Sequence, residues 1–154
     1  MKKITKLLSG ILVCASLVAC GTKGSELKEG ITVADVVAKV EEKAPMQMPM
    51  KLDDSTVSDL TTINLEDVEE YAITKAMVIN SADVTAIVKA KDGKVESVKS
   101  ALQEMLNTEK NNAYLPDQKE KTENAILTEK GNYVILLINE DVKSAEKAVN
   151  KCFE

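Results

Sequence analysis

The chain has 154 residues, with 20 lysines, 25 acidic residues and no histidine, which gives a net charge of −5 at neutral pH. It contains neither arginine nor tryptophan, and aromatic residues make up only 3% of it. A nucleic-acid-binding protein needs a basic face and usually arginine, so this composition argues against that class of function. Histidine is the commonest general base and metal ligand near neutral pH, so its absence argues against general-base catalysis and metal binding that use histidine.

The beginning of the chain is typical of a bacterial lipoprotein signal peptide. Three lysines stand within the first six residues, and residues 7–19 form an apolar run that is too short to span a bilayer. The run ends in Leu17-Val18-Ala19-Cys20, which resembles the lipobox recognised by lipoprotein signal peptidase. We therefore predict that residues 1–19 are removed and that Cys20 becomes the first residue.

Resemblance to bacterial lipoproteins implies a thioether-linked diacylglycerol on Cys20, with acyl chains such as palmitate as the lipid anchor. We expect the protein to be held at the extracytoplasmic face of the cell membrane. Residues 20–30 predict a flexible tether, because three glycines and few apolar side chains occur there. A single domain is expected over residues 31–154. Without residues 1–19 the chain keeps 17 lysines and 25 acidic residues, a net charge of about −8.

The domain is expected to begin with a helix. Thr32 followed by Asp35 is typical of a helix N-terminus, and valines at positions 33, 36, 37 and 40 share one face. Pro45 ends this helix, and Met46, Met48 and Met50 follow in a short extended loop. Residues 53–70 predict two short helical turns.

Two hairpins, each followed by a helix, complete the predicted domain. Residues 71–80 and 84–90 predict the first pair of strands, and a helix should run from about residue 95 to residue 111. A short polar helical segment opens at Pro116. Residues 125–129 and 133–138 predict the second pair of strands, and the last helix begins near Asp141.

This order predicts an α+β fold, in which an N-terminal helix precedes two β-β-α units. The four strands should form an antiparallel sheet with the helices packed on it. The strand over residues 133–138 is apolar at every position, so both of its faces should be covered. We predict that the two helices after the hairpins cover one face, and that the valine stripe and the methionine loop cover the other.

The methionines are the sharpest candidate site. Thioether sulfurs suit Cu(I), and Met46, Met48 and Met50 could bind it outside the cell. The simpler interpretation is that alternate methionines bury one side of an extended loop. Neither histidine nor a neighbouring cysteine completes a copper site, so no metal or cofactor is predicted.

The acidic clusters and the serines carry no clear chemistry. Asp53, Asp54 and Asp59 lack the spacing of a calcium loop and favour a helix cap, whereas residues 66–70 favour a solvated acidic face. Each adjacent Lys-Ser pair lies on a helix, where neighbours diverge by about 100°, so neither forms a dyad. We predict no catalytic residue. Cys152 is left as a single thiol and should lie on the apolar side of the last helix.

Several short runs resemble a known family. These are Asp67-Val68-Glu69-Glu70-Tyr71, residues 87–98, Tyr114-Leu115-Pro116-Asp117-Gln118 and Gly131-Asn132-Tyr133-Val134. They are similar to the bacterial lipoproteins called domain of unknown function 4358, which occur mainly in Gram-positive clostridia. The resemblance implies a host type and assigns no catalytic or ligand-binding residue.

The favoured function is therefore a membrane-anchored extracytoplasmic lipoprotein, not an enzyme, with a binding or envelope-assembly domain and a protein partner of unknown identity. One alternative is a lipoprotein that binds a small ligand or a metal through the loop of Met46, Met48 and Met50. A further alternative is a carboxylate-dependent hydrolase, since a facing pair of carboxyl groups is not visible in a sequence.

Overall fold

The structure is a computed structural model that describes residues 25–154, so the predicted signal peptide and Cys20 lie outside the described residues. Within this range the fold is α+β, with five α-helices and one five-stranded antiparallel sheet. No helix of the described range is long and apolar enough to cross a membrane. The elements are α1 (Val33–Lys43), β1 (Pro49–Lys51), α2 (Asp54–Leu60), a 3-10 turn (Leu65–Asp67), β2 (Val68–Ala76), β3 (Val84–Ala90), α3 (Val95–Asn112), α4 (Pro116–Glu123), β4 (Ile126–Lys130), β5 (Tyr133–Ile138) and α5 (Val142–Asn150).

The first and last helices begin at side chains that satisfy free backbone groups. At α1 the Thr32 hydroxyl accepts from the backbone N–H of Asp35 at 3.2 Å, and the Asp35 carboxylate accepts from the backbone N–H of Thr32 at 2.9 Å. The backbone N–H and the hydroxyl of Thr32 both donate to the Asp35 carboxylate, and these bonds hold the pKa of Asp35 below its usual value. At α5 the Asp141 carboxylate accepts from the backbone N–H of Ser144 at 3.1 Å. Both helix starts were predicted, because a cap depends on a few adjacent residues.

The sheet has five strands, and the prediction of four was wrong. The additional strand is β1, which pairs antiparallel with β2 at the edge of the sheet, in the order β1-β2-β3-β5-β4. It lies in the methionine segment that was predicted as a loop. A three-residue strand that begins with proline has almost no sequence pattern, and proline in a sheet is confined to edges because it lacks an N–H.

Both faces of the sheet are covered, as the apolar strand β5 predicted. Val134, Leu136 and Ile138 point to one face and join a core with α3, whereas Ile135 and Leu137 point to the other face. On that second face the predicted valine stripe of α1 forms the core. The buried valines are Val33, Val36, Val37 and Val40. Every side chain of β5 is therefore buried because the two sides of one strand contact two different helical layers.

The predicted distribution of the helices over the two faces was partly wrong. Helix α5 packs beside α1 on the second face, through Ala145 and Val149, and does not join α3. The methionine segment extends the sheet at its edge and does not cover a face. Each face of the sheet is thus covered by one of the helices that follow the hairpins, α3 on the first face and α5 on the second. Helix α5 is short, and α1 completes the helical layer on the second face.

The two ends of the sheet have different neighbours. The incoming chain forms an isolated antiparallel bridge between Leu27 and Phe153, and the Phe153 ring lies 5.2 Å from the ring of Tyr133, where β5 begins. The β2–β3 loop lies at the other end, because Val84 pairs with Ile138, where β5 ends. At about 3.4 Å per residue these ends are roughly 17 Å apart along β5.

Candidate functional site

Three of the five large apolar side chains that are exposed within residues 25–154 line one cleft, and the other two lie next to its lining. We call them the apolar rim: Met48, Leu60, Met77, Ile79 and Tyr114. Ile79 is the most exposed at 88%, and it lies in the β2–β3 loop. The backbone N–H of Met77 donates to the carbonyl of Met48 at 3.1 Å, which joins the β2–β3 loop to the residue before β1. A concentration of exposed apolar side chains in one place is typical of a contact surface, whereas single scattered ones are normal on any protein.

Leu60, Met77 and Ile79 of the rim line a cleft of about 420 Å³ at the end of the sheet farthest from Leu27. Met48 and Tyr114 lie beside it, since Met48 is hydrogen-bonded to Met77 and Tyr114 follows Ala113 of the lining. The walls of the cleft are the end of β2, the last turns of α3 and the start of α4. Lys75 of β2 and Glu109 of α3 form an ion pair within it, and their side chains are only 20% and 12% exposed. Since each of these charges has its partner, the cleft offers an apolar, shaped surface rather than a free reactive group.

Gln118 fixes the two loops that border the cleft. This residue of α4 is buried, and its side-chain carbonyl accepts from the backbone N–H groups of Tyr114 and Leu115, both at 3.1 Å. Its amide nitrogen donates to the carbonyl of Ile79 at 3.0 Å. The most exposed apolar residue therefore stands on a loop whose backbone is tied to the helical layer.

A buried ion pair also holds the β2–β3 loop in place. Asp83 immediately precedes β3 and accepts from the Lys121 ammonium of α4 at 3.0 Å, with both side chains largely buried. The Ser81 hydroxyl also donates to Asp83. A loop held at several points loses little conformational freedom on binding, which favours a preformed contact surface.

The methionines proposed as a copper site do not share one environment. Met46 is buried, Met50 packs against the core beneath α3, and Met48 is 68% exposed in the apolar rim. Met48 has a φ of +45°, which turns the chain at that residue and breaks the extended alternation that would align the three side chains. The expected burial of the methionines is therefore observed for Met46 and in part for Met50, and not for Met48.

The first acidic cluster acts in local structure, as predicted. Asp53 caps α2 by accepting from the backbone N–H of Thr56 at 2.9 Å, and this bond lowers the pKa of Asp53. Asp54 accepts from the hydroxyl of Tyr71, and burial together with this carboxylate raises the pKa of Tyr71 to about 12.

The second acidic cluster was predicted as a solvated face, which is wrong for Asp67. Asp67 is only 8% exposed, and its carboxylate accepts from Lys94 at 2.9 Å and from the Ser97 hydroxyl at 2.8 Å. These donors hold its pKa below the usual range. Asp67 thus ties the start of β2 to the start of α3.

The remaining candidates are also accounted for. Cys152 is fully buried beneath α1 and α5, as predicted, and its thiol donates to the carbonyl of Ala148 at 3.3 Å. In the Lys99-Ser100 pair the lysine is bound to Glu129 on β4. Within residues 25–154 no group of three or more acidic, cysteine or histidine side chains is arranged to hold a metal ion.

Sequence reasoning missed the apolar rim. Met77 and Ile79 fell inside the predicted strand 71–80, whereas β2 ends at Ala76. The pattern did contain a hint, since Asn80 and Ser81 favour a turn directly after Ile79. No pattern in the chain could have placed Leu60 and Tyr114 beside that turn, because they come from different elements.

Comparison with known proteins assigns the chain to a family. It matches the family described as a domain of unknown function (DUF4358) over residues 42–139. The chain belongs to this family. The matched range runs from the end of α1 to the residue after β5, so it contains the whole sheet and the cleft with its rim. No curated protein matches the chain. No solved structure matches it either.

Proposed function

We propose that this DUF4358 chain is a lipoprotein of a clostridial type of Gram-positive bacterium, anchored through Cys20 at the extracytoplasmic face of the cell membrane. In this proposal its domain does no chemistry. It binds an apolar segment of another envelope protein through the apolar rim.

The gathering of exposed apolar side chains around one cleft supports this proposal more than any other observation. Ile79 and Met77 stand on a loop that Gln118 and Asp83 hold in place, and the ion pair of Lys75 and Glu109 leaves no unpaired charge between them. Apolar side chains around a preformed pocket are the usual centre of a protein–protein contact, where a few residues supply most of the affinity.

The position of the rim favours an occupant from another molecule. In the predicted processed chain, only Cys20 to Gly24 would precede the described residues, and this segment has no large apolar side chain. It also leads to Leu27, at the end of the sheet farthest from the rim. The chain's own N-terminus therefore starts from the opposite end of the sheet and offers no large apolar side chain to the cleft.

Site-specific cross-linking in cells tests the proposal. A photo-activated side chain at Ile79 should capture a protein partner, whereas the same group at Gln103, an exposed position on the outer side of α3, should not. In a second experiment the photo-activated side chain is placed at Met77, and the added substitution Ile79→Ser should abolish capture of the partner. Burial of one large aliphatic side chain is worth about 2 kcal/mol, so the loss of affinity should be at least tenfold.

Three results would count against the proposal. Equal capture at Ile79 and Gln103 would show that the rim is not selective. Capture of a second copy of this chain alone would replace the envelope partner by self-association. The cleft volume also falls within the range of small-ligand pockets, so a bound small molecule found by mass spectrometry of the native protein would favour ligand binding instead.

A further inference from the structure

A second surface of the domain carries the opposite character to the apolar rim. Helices α1 and α5 enclose a groove of about 350 Å³ on their outer side. We call it the lysine groove, after the lysines that line it: Lys39, Lys43, Lys147 and Lys151. Glu42 is the one acidic side chain in its lining.

Three of these lysines form no close ion pair within residues 25–154. Glu42 is bound to Lys43 at 2.6 Å, which leaves Lys39, Lys147 and Lys151 outside any ion pair of the described range. All three side chains are exposed. The groove is therefore locally basic in a chain whose net charge is −5.

The spacing of the lysines places like charges next to one another on each helix. Lys39 and Lys43 are four residues apart on α1, and Lys147 and Lys151 are four residues apart at the end of α5. Like charges at this spacing lie on the same side of a helix and destabilise it. An anionic partner would remove this repulsion, whereas solvent alone only screens it.

The path of the chain favours a membrane surface as the anionic partner. The Lys28 ammonium donates to the carbonyl of Lys151 at 2.8 Å, and the backbone N–H of Lys28 donates to the carbonyl of Cys152 at 2.9 Å. The chain thus enters the domain beside one end of the groove. Cys20 is eight residues before Lys28, a reach of at most about 28 Å. A lipid on Cys20 would hold this end of the groove near the membrane surface.

We propose that the lysine groove lies on the headgroups of anionic phospholipids and orients the domain on the membrane. This inference rests on the proposed lipid anchor for its biological setting. The groove gives the anchor a second, electrostatic attachment, and combinations of one lipid signal with a basic patch bind membranes stably. Only Glu42 and Lys43 of the groove lie within the matched family range, so this surface belongs mostly to the parts of the chain that flank the family domain.

Vesicle binding without the lipid tests the groove independently of the anchor. The chain from residue 21 to residue 154 is suitable, because both cores and the whole sheet lie within it. It should bind phosphatidylcholine vesicles that contain phosphatidylglycerol at least tenfold more strongly than vesicles of phosphatidylcholine alone. Raising the salt to about 0.5 M should abolish the difference, since it shortens the screening length to a few ångströms.

Matched triple variants decide whether the groove itself is responsible. The substitutions Lys39→Gln, Lys147→Gln and Lys151→Gln should remove the preference for anionic vesicles. The control substitutions Lys51→Gln, Lys110→Gln and Lys119→Gln change the net charge equally at exposed positions elsewhere, and should leave binding within twofold. Circular dichroism of each variant checks that the fold is intact.

Three outcomes would overturn the inference. They are no preference for anionic vesicles, an equal loss in both triple variants, and binding of soluble polyphosphate without vesicle binding. The anchor is tested separately, because Cys20→Ser in the whole chain should release the protein from membranes or leave the precursor uncleaved. If the groove variants lose vesicle binding while Cys20→Ser still gives a mature-length, acylated protein in the membrane fraction, the proposed anchor is wrong and the groove stands.

Discussion

Because α1 covers the second face of the sheet, shortening one of its buried valines should lower the stability of the domain by a predictable amount. Val36 is fully buried between the sheet and α5. The substitution Val36→Ala removes two methyl groups, which are worth about 0.8 kcal/mol each by transfer, and it leaves a cavity that adds to the loss. We expect the free energy of unfolding to fall by about 2–3 kcal/mol. This is a large fraction of the 5–15 kcal/mol that is usual for a domain.

Urea unfolding followed by circular dichroism measures this change. The midpoint of Val36→Ala should fall while the slope stays constant, because the surface exposed on unfolding hardly changes. Ala38→Ser is the matched control, since Ala38 lies on the exposed side of the same helix and should alter stability by less than about 0.5 kcal/mol. The midpoint should also be independent of protein concentration if α1 covers the sheet of its own chain.

Two results would refute the reasoning. A loss below about 0.5 kcal/mol for Val36→Ala would show that the valine stripe does not contribute to the core. A midpoint that rises with protein concentration would show that α1 covers the sheet of another copy.

Three further predictions concern buried polar groups. Thr85 is fully buried and its hydroxyl has no hydrogen-bond partner in the described residues, so Thr85→Val should raise the free energy of unfolding by about 1 kcal/mol. The control Thr61→Val removes a hydroxyl that is hydrogen-bonded and should not raise it. Destabilisation by Thr85→Val would contradict this prediction. Because Lys94 lowers the pKa of Asp67, the ionised carboxylate stabilises the fold fully above the unfolded pKa of about 3.9 and loses this effect as the pH falls through the lower folded pKa. The difference in urea stability between the native chain and Asp67→Asn should therefore shrink as the pH falls below about 3.9, and a difference that does not change with pH would refute the assignment. Cys152 should react with a maleimide only after unfolding, and rapid labelling of the native protein would show that its burial is transient.

The local elements of this protein followed from the sequence alone. Thr32 with Asp35 marks a helix start because the bonds that cap a helix join residues three apart. The uninterrupted apolar run of β5 required two covered faces, because alternate side chains of a strand point in opposite directions. Both features depend on neighbours along the chain, so a single sequence contains them.

The edge strand and the pairing of α5 with α1 depended on contacts between distant segments. β1 is a strand only because its residues pair with β2, with Met50 opposite Lys75. The face on which α5 packs depends on where the valines of α1 leave room, and the amphipathic pattern of α5 is the same for either face.

The surfaces that carry the functional proposals were decided only by the tertiary structure. The sequence predicts the lipid anchor at Cys20 and argues against histidine chemistry, because those conclusions need only residue types and their spacing. Ile79 and Leu60, in contrast, share a cleft although 19 positions separate them, and Lys39 meets Lys147 across two helices that begin and end the domain. Proximity of this kind arises when the chain folds back on itself, since burial of two sheet faces decides which exposed residues are left beside one another.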